Sequence, residues 1–465
     1  MESPDHMPAG TLWLPWLLCF PGRAYFSKHK YRPLGETNRS SEVVSKQEFV
    51  RELKRVNRIA WPMLVVTSGL AGALETLCGQ AYGAEQYRQV GTFVYGAILG
   101  LFLICLPVSI LWMYTGKLLM FLGQDPLVSK EAGIFAVWLI PALFPHAIHQ
   151  SLILYLQSQS LILPMLLSSP ASLLINLVLS WTFIFKLNLG NAGAALSISL
   201  SNWLHVFLLG LYVKYSSACK KTHAPFSKEV FSSLGQFFKF AVPSAMMVCF
   251  EWWSFEIVVI FSGLLPNPQL EMSVLSICMA FSSLHFQVPT AFGIAASTRI
   301  SNEVGAGNPQ AVRLILCTVL ILTTAEFVLA ATAIFICRRV LGYAFSEEKN
   351  VVSYIQEMAP FLCLSITVDS LQAVLSGVAR GGGWQRIGAY VNLGAYYVVG
   401  IPVALLMGFG LHLKGKGLWT GTIVGGAVQF VLLSIVTCLT DWEKQATEAR
   451  QRIFEGTVPP QIQLI

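Results

Sequence analysis

The sequence predicts an all-α polytopic membrane protein, built as two pseudo-symmetric helical lobes with about 11 spans. Three observations predict it. Of 465 residues, 54% are hydrophobic and only 12% charged, which leaves too little polar surface to cover a water-soluble globule of this size. Apolar runs of roughly 18 residues or more recur along almost the whole chain, each long enough to cross a ~30 Å hydrocarbon core as a helix; barrel strands, alternating with period two, would look different. The chain also repeats itself weakly but collinearly.

Residues 1–50 read as a mobile tail. Within them "TLWLPWLLCFPG", Thr11 to Gly22, holds an apolar run too short to span, and the residues before it carry acids and no Lys or Arg, a poor signal peptide. "AWPMLVVTSGLAGALETLCGQAYGA", Ala60 to Ala84, follows as a stretch that barely spans and contains Glu75. Candidate spans then run near Val90–Thr115, Ala132–Gln157, Leu161–Phe185 and Gly193–Tyr215. These make 51–215 an incomplete first lobe. The charged stretch "YSSACKKTHAPFSKEVFSSLG" marks the boundary, with 216–236 as a cytoplasmic connection. A complete six-helix second lobe over 237–440 has spans near Phe237–Leu265, Leu270–Ser297, Val312–Cys337, Tyr354–Ala379, Ile387–Gly410 and Gly417–Leu439, and 441–465 form a polar tail.

The ten cysteines show no CxxC pair and no metal-ligand spacing, so they read as buried thiols, and no metal or other cofactor is called for. The net charge of +7 gathers in connecting segments, where basic residues set membrane topology, and nucleic acid is not implied.

Splitting the chain at the charged connection exposes the repeat. "IPALFPHAIHQSL" around Pro141 lies over "APFLCLSITVDSL" around Pro360 at an offset of 219 residues, setting Gln150 against Asp369. At an offset of 223, "ETLCGQAYGAEQ" lies over "TRISNEVGAGNP", and "INLVLSW" around Asn176 resembles "VNLGAYY" around Asn392. Two related bundles commonly place a substrate site between them. The repeat also measures a deficit: Pro243 precedes Ala306 by 63 residues, whereas Pro62 precedes the matching Gly83 by only 21. Most of two helices is missing from the first lobe.

"LETLCGQAYGAEQY", "STRISNEVGAGNPQAVR", "CFEWWSFE" and "SGVARGGGWQRIGAYVNLGAYYVVGIPVA" together resemble the multidrug and toxic compound extrusion (MATE) family, in its plant-type DETOXIFICATION branch, from Arg51 to Trp442. The resemblance implies twelve helices in two six-helix lobes and a central cavity open to one side at a time. It implies export of organic solutes or cations in exchange for protons, with the proton gradient as the coupling source, and it gives a Glu in the seventh helix and an acid in the tenth the proton-binding part. The first lobe departs from that pattern. The partners expected are membrane lipids and a small organic substrate, for a monomer in the vacuolar or plasma membrane. The competing expectation is a truncated, non-transporting product or a regulatory partner of a full-length relative.

An ionisable group at a helix centre in a membrane costs ~2.5–3.5 kcal/mol or more, so each invites a functional reading. Glu251 and Glu256 are five residues apart, about 140° around a helix, and cannot both point squarely into one cavity. If their helix begins near Phe237, Glu251 lies ~21 Å in and Glu256 ~29 Å, while Asp369 sits ~15 Å from the cytoplasmic end of a helix running the other way. Glu251 and Asp369 therefore approach the midplane and are the leading proton-coupling candidates, with Glu256 third. A carboxyl group out of water favours its protonated form, and a second acid nearby strengthens that preference for one of the two. Gln150, Tyr155, Gln157 and Asn176 are expected as neutral cavity contacts in the first lobe, and Trp252, beside Trp253, as a flat face for an aromatic or cationic guest.

Other candidates read as structural. Glu326, beside Thr323 and Thr324, suggests an internal hydrogen bond. Arg299 and Glu303 suggest an i,i+4 pair at a helix end before "GAGNP". "ARGGGWQ" lies between two spans with no strand, which suits a tight connection and not a phosphate cradle. Glu75, as the repeat mate of Thr298, is expected at a helix end near the cytoplasmic loop and not among the proton sites.

Positive-inside reasoning places Arg51, Lys54, Arg55 and Arg58, the connection with Lys214, Lys220, Lys221 and Lys228, and the tail with Lys444, Arg450 and Arg452 in the cytoplasm. Five spans between Arg58 and Lys214 are one too many for that, unless the opening stretch does not cross. A cytoplasmic N-terminus leaves the Asn38-Arg39-Ser40 sequon unused.

Overall fold

In lipid a helix satisfies every backbone N–H and C=O within one segment, which is why the apolar runs fold as helices. The computed structural model describes residues 66–121, 126–346 and 348–455. Among them the elements in order are α1 (Ala73–Gly83), α2 (Tyr87–Met113), α3 (Thr115–Phe121), α4 (Pro126–Ser158), α5 (Leu163–Trp181), α6 (Gly190–Tyr215), α7 (Glu229–Ser262), α8 (Pro268–Ala306), α9 (Pro309–Leu341), α10 (Lys349–Gly382), α11 (Gln385–Asn392), α12 (Ile401–Leu405), α13 (Lys414–Leu439) and α14 (Trp442–Glu455). Wide π-type turns, Leu393–Gly400 and Leu406–Gly410, join α11 and α12 into one crossing segment. Prolines start α8 and α9, and left-handed glycines end α8 and α10 at Gly307 (φ +78°) and Gly383 (φ +85°). Gly383 is the tight connection expected in "ARGGGWQ", and Arg299 and Glu303 pair at 3.5 Å in the last turns of α8.

Ten helical segments among the described residues are long and apolar enough to cross a membrane, four before the charged connection and six after it. Of the opening stretch, residues 66–71 are helical, the chain turns at Gly72, and α1 follows. The expected tail, the basic cluster from Arg51 to Arg58, Pro62 and the Asn38 sequon lie outside the described residues. Four crossings separate Arg88 from Lys214, an even number, so the parity difficulty does not arise over that stretch. Arg88 meets Glu229 at 3.4 Å and Gln89 Nε2 donates to the Ile453 carbonyl at 2.9 Å, which puts the start of α2, the connection and the C-terminal helix on one face. The basic residues of the connection and of the C-terminal helix gather on that face, the distribution on which the positive-inside expectation rests.

The helices reach further than their apolar runs. α7 begins at Glu229, eight residues before Phe237, so the last eight residues of the expected connection are helix. The polar tail is also structured: α14 buries Trp442, Ala446, Ala449 and Ile453, while Arg450 Nη1 donates to the Ala306 carbonyl at the end of α8 at 2.9 Å. A cation on a helix's last carbonyls offsets the negative end of its dipole. Nine described cysteines are free; Cys317, Cys337 and Cys438 are exposed and not buried, on helix faces rich in exposed Leu, Ile and Val that suit lipid.

The two lobes meet chiefly through α1 against α8. A Cβ added at Gly305 would run into the Gln80 backbone, and one at Gly83 into that of Asn302, so small residues set the approach of the two helices. Hydrogen bonds between the lobes gather at this end: Gln157 Nε2 to Thr298 Oγ1 at 3.1 Å, Asn302 Nδ2 to the Ser158 carbonyl at 3.2 Å, and Arg452 Nη2 to Gln80 Oε1 at 3.1 Å. Gly305→Val is therefore expected to destabilise the folded protein by about 1–3 kcal/mol through overpacking, read as a lower thermal unfolding midpoint in detergent. An unchanged midpoint would contradict this account of the crossing.

Candidate functional site

The second lobe has a half-open apolar pocket, about 320 Å³ of empty space when the solvent at its mouth is counted, lined by Glu251, Trp252 and Phe255 of α7, Met279, Ser282, Ser283 and Phe286 of α8, and Asp369 of α10. Glu251 is 8% exposed and Asp369 7%, so both carboxyls are held out of water. The depths expected from sequence need revision, because α7 starts earlier and Glu251 lies ~33 Å from its beginning. The two acids nonetheless line one pocket.

A polar network supports them. Gln372 Nε2 donates to Glu251 Oε1 at 3.0 Å, Ser376 Oγ to Gln372 Oε1 at 3.4 Å, Gln429 Nε2 to Ser376 Oγ at 3.3 Å, and Tyr396 OH to Gln429 Oε1 at 2.7 Å. Ser365 Oγ donates to Asp369 Oδ2 at 3.0 Å. Ser365, Asp369, Gln372 and Ser376 recur at three- and four-residue spacing and so share one face of α10. That stripe is present in the sequence, where the acid alone stands out against its apolar run. Tyr396 sits in the first π-type turn, a local widening that helices often show at functional sites. Gly426 leaves the space on α13 into which Asp369 and Tyr396 point.

The other expected residues divide. Trp252 lines the cavity, its ring edge-on to Phe286 with centroids 6.3 Å apart, whereas Trp253 is exposed. Glu256 is exposed on α7 and does not line the cavity. Tyr155 and Gln157 are buried in contacts at the end of α4 nearest the connection, the former with Thr222 Oγ1 at 2.5 Å and the latter with Thr298. Asn176 Nδ2 donates to Ser201 Oγ at 2.9 Å between α5 and α6, and Gln150 is half-buried on α4. None of these four reaches the second-lobe cavity. Glu326 does make an internal hydrogen bond, but with His285 Nε2 at 2.8 Å and Ser370 Oγ at 3.3 Å, while Thr323 and Thr324 bond their own helix. Glu75 is neither free nor at a solvated helix end: its Oε2 accepts from Arg380 Nε at 3.0 Å across the lobe interface. Among the described residues no cluster of His, Cys, Asp or Glu suits a metal ion.

Helical lobes that bury a pair of acids beside an aromatic-walled cavity between crossing helices define a membrane transporter and not an enzyme. The chain belongs to the MatE family, whose model matches residues 53–182 and 243–406. It is 48% identical to Protein DETOXIFICATION 14 of Arabidopsis thaliana, over 89% of this chain and 93% of that one, and 50% identical to Protein DETOXIFICATION 3 of the same plant, over 83% and 82%. Its fold matches the crystal structure of the eukaryotic MATE transporter AtDTX14 with a TM-score of 0.79 at 48% identity, covering 87% of this chain and 99% of that one. At 14% identity it also shares the fold of a multidrug resistance MATE family transporter of the MOP superfamily in an outward-facing conformation, with a TM-score of 0.72 over 88% of this chain and 89% of that one. This is a multi-pass membrane protein of the multidrug and toxin efflux kind.

Proposed function

We propose that the chain exports organic solutes or cations in exchange for protons, and that Glu251 and Asp369 hold the coupling proton. The observation that carries this reading is the convergence of two buried carboxyls, from α7 and α10, on one cavity walled by Trp252, Phe255 and Phe286. A cation and a proton both neutralise an ionised carboxylate, so they compete, and by linkage each lowers the affinity for the other. The aromatic faces suit a flat cationic guest. Glu256, exposed and outside the cavity, has no part in the exchange, whereas Gln150 belongs to the first-lobe side of the pathway. The chain works as a monomer in the vacuolar or plasma membrane.

The test is uptake of tetraethylammonium into proteoliposomes acidified inside. We expect uptake that follows the pH gradient and collapses with nigericin, and equilibrium binding that weakens as pH falls from 8 to 6. Binding indifferent to pH would remove the two carboxyls from the coupling. Among the described residues, four long crossings before the connection against six after it favour one second reading, a chain that folds as a non-transporting partner. Gradient-driven uptake by a longer transcript restoring the residues between Pro62 and Gly83, with none by this chain, would select it.

A further inference from the structure

The first lobe holds a cluster of titratable groups with no part in that exchange. His146 and His149 project from α4 and His205 from α6. The rings of His149 and His205 have centroids 4.2 Å apart at an interplanar angle of 50°. His205 Nε2 lies 3.0 Å from Ser168 Oγ of α5, and His146 Nε2 lies 3.4 Å from Ser68 Oγ in the helical residues 66–71. His149 Nε2 is buried with no hydrogen-bond partner.

The repeat gives this cluster a place. α6 and α13 are both 26 residues long, and laying them start to start sets His205 on Gln429, with "HVFLL" over "QFVLL". At the offset of 219, His146 falls on Ser365 and Gln150 on Asp369. His146 and His205 thus occupy, in the first lobe, framework positions that surround the acids in the second, while His149 falls on Val368 beside Asp369. Their charge logic is inverted: a carboxyl is negative when it loses its proton, an imidazole positive when it gains one.

The titratable groups nearest His149 are His205, stacked on its ring, and His146, three residues before it on α4. From the packed elements, α5 brings Ser168 to His205 and residues 66–71 bring Ser68 to His146, while Glu75 of α1 is committed to Arg380. A lone imidazolium there would be costly, as would a lone carboxylate, whereas the two together form a hydrogen-bonded neutral pair. We propose that His146, His149 and His205 form a second guest site, which binds one proton together with the carboxylate of an organic acid, His149 Nε2 supplying the donor. Proton and anion then raise each other's affinity, the reverse of the second-lobe competition.

The test is binding of radiolabelled benzoate to the full chain in nanodiscs at pH 5.5 and 7.5, with benzamide as the neutral isostere. One co-bound proton permits up to about a tenfold change per pH unit, so we expect benzoate to bind about tenfold or more tightly at pH 5.5 and benzamide to bind alike at both. His149→Gln combined with His205→Gln should lose both the affinity and its pH dependence, while His223→Gln in the exposed connection retains them. If the double variant fails to fold, His149→Phe, which keeps the ring stack and removes the donor, reads the same loss. Benzoate binding that is absent, independent of pH or unchanged in the folded His149 variants would overturn the proposal. No arm uses transport, so the outcome is independent of the exchange proposed for Glu251 and Asp369.

Discussion

Asp369→Asn is expected to lower gradient-driven uptake at least about tenfold, with the protein still folded. Asparagine has nearly the shape of a protonated aspartate, so it imitates the proton-loaded site and cannot release the proton. Its amide oxygen can still accept from Ser365 Oγ, which donates to Asp369 at 3.0 Å. A neutral side chain at a buried position also avoids the desolvation that an ionised carboxyl meets there, so the thermal midpoint should hold or rise. Glu251→Gln should impair uptake too, because Gln372 loses a charged acceptor, whereas Glu256→Gln, at an exposed position, should leave uptake within about twofold. Full proton-driven uptake by Asp369→Asn would refute the assignment.

Glu75→Ala is the second change of large expected effect. Glu75 and Arg380 are 9% and 13% exposed, and their bond at 3.0 Å joins the last helical piece of the opening stretch to the end of α10. Thr76 Oγ1 donates to the Arg380 carbonyl and Gln80 Nε2 to that of Gly381, so the arginine lies in a closed inter-lobe junction with little water. Removing the acid leaves a buried cation uncompensated, which commonly costs about 3–5 kcal/mol. The thermal midpoint should fall steeply, and Arg380→Ala added to Glu75→Ala should cost less than the separate losses combined, as a double-mutant cycle detects for a coupled pair. Strict additivity would show that the pair does not hold the junction.

Much of this architecture was legible along the chain. The crossing segments announce themselves because apolar composition over a membrane's thickness is a local property, and Pro268, Pro309, Gly307 and Gly383 mark ends by backbone preference alone. Glu251 and Asp369 were legible as rare acids in apolar runs, and the repeat set Asp369 against Gln150. The α10 stripe of Ser365, Gln372 and Ser376 follows helical spacing and could have been read. His285 as the partner of Glu326 could not, being 41 residues away on a different helix. Nor could α14 as a docked helix, since its buried Trp442, Ala446, Ala449 and Ile453 are sparse among charges and their covering surface is formed by distant segments.

By itself, the sequence determined the class of fold, the number and order of the long helices after Tyr87 and two of the buried acids, Glu251 and Asp369. Each follows from composition or spacing within one segment. Only the tertiary structure decided that Glu251 and Asp369 share a cavity while Glu256 faces away, that Tyr155, Gln157 and Asn176 are engaged between helices, that Glu75 binds Arg380 and that three histidines meet in the first lobe. Those facts depend on how each helix is rotated and how deep it sits. Close-packed small residues such as Gly83 and Gly305 set both quantities, and the contacts they allow join residues hundreds of positions apart.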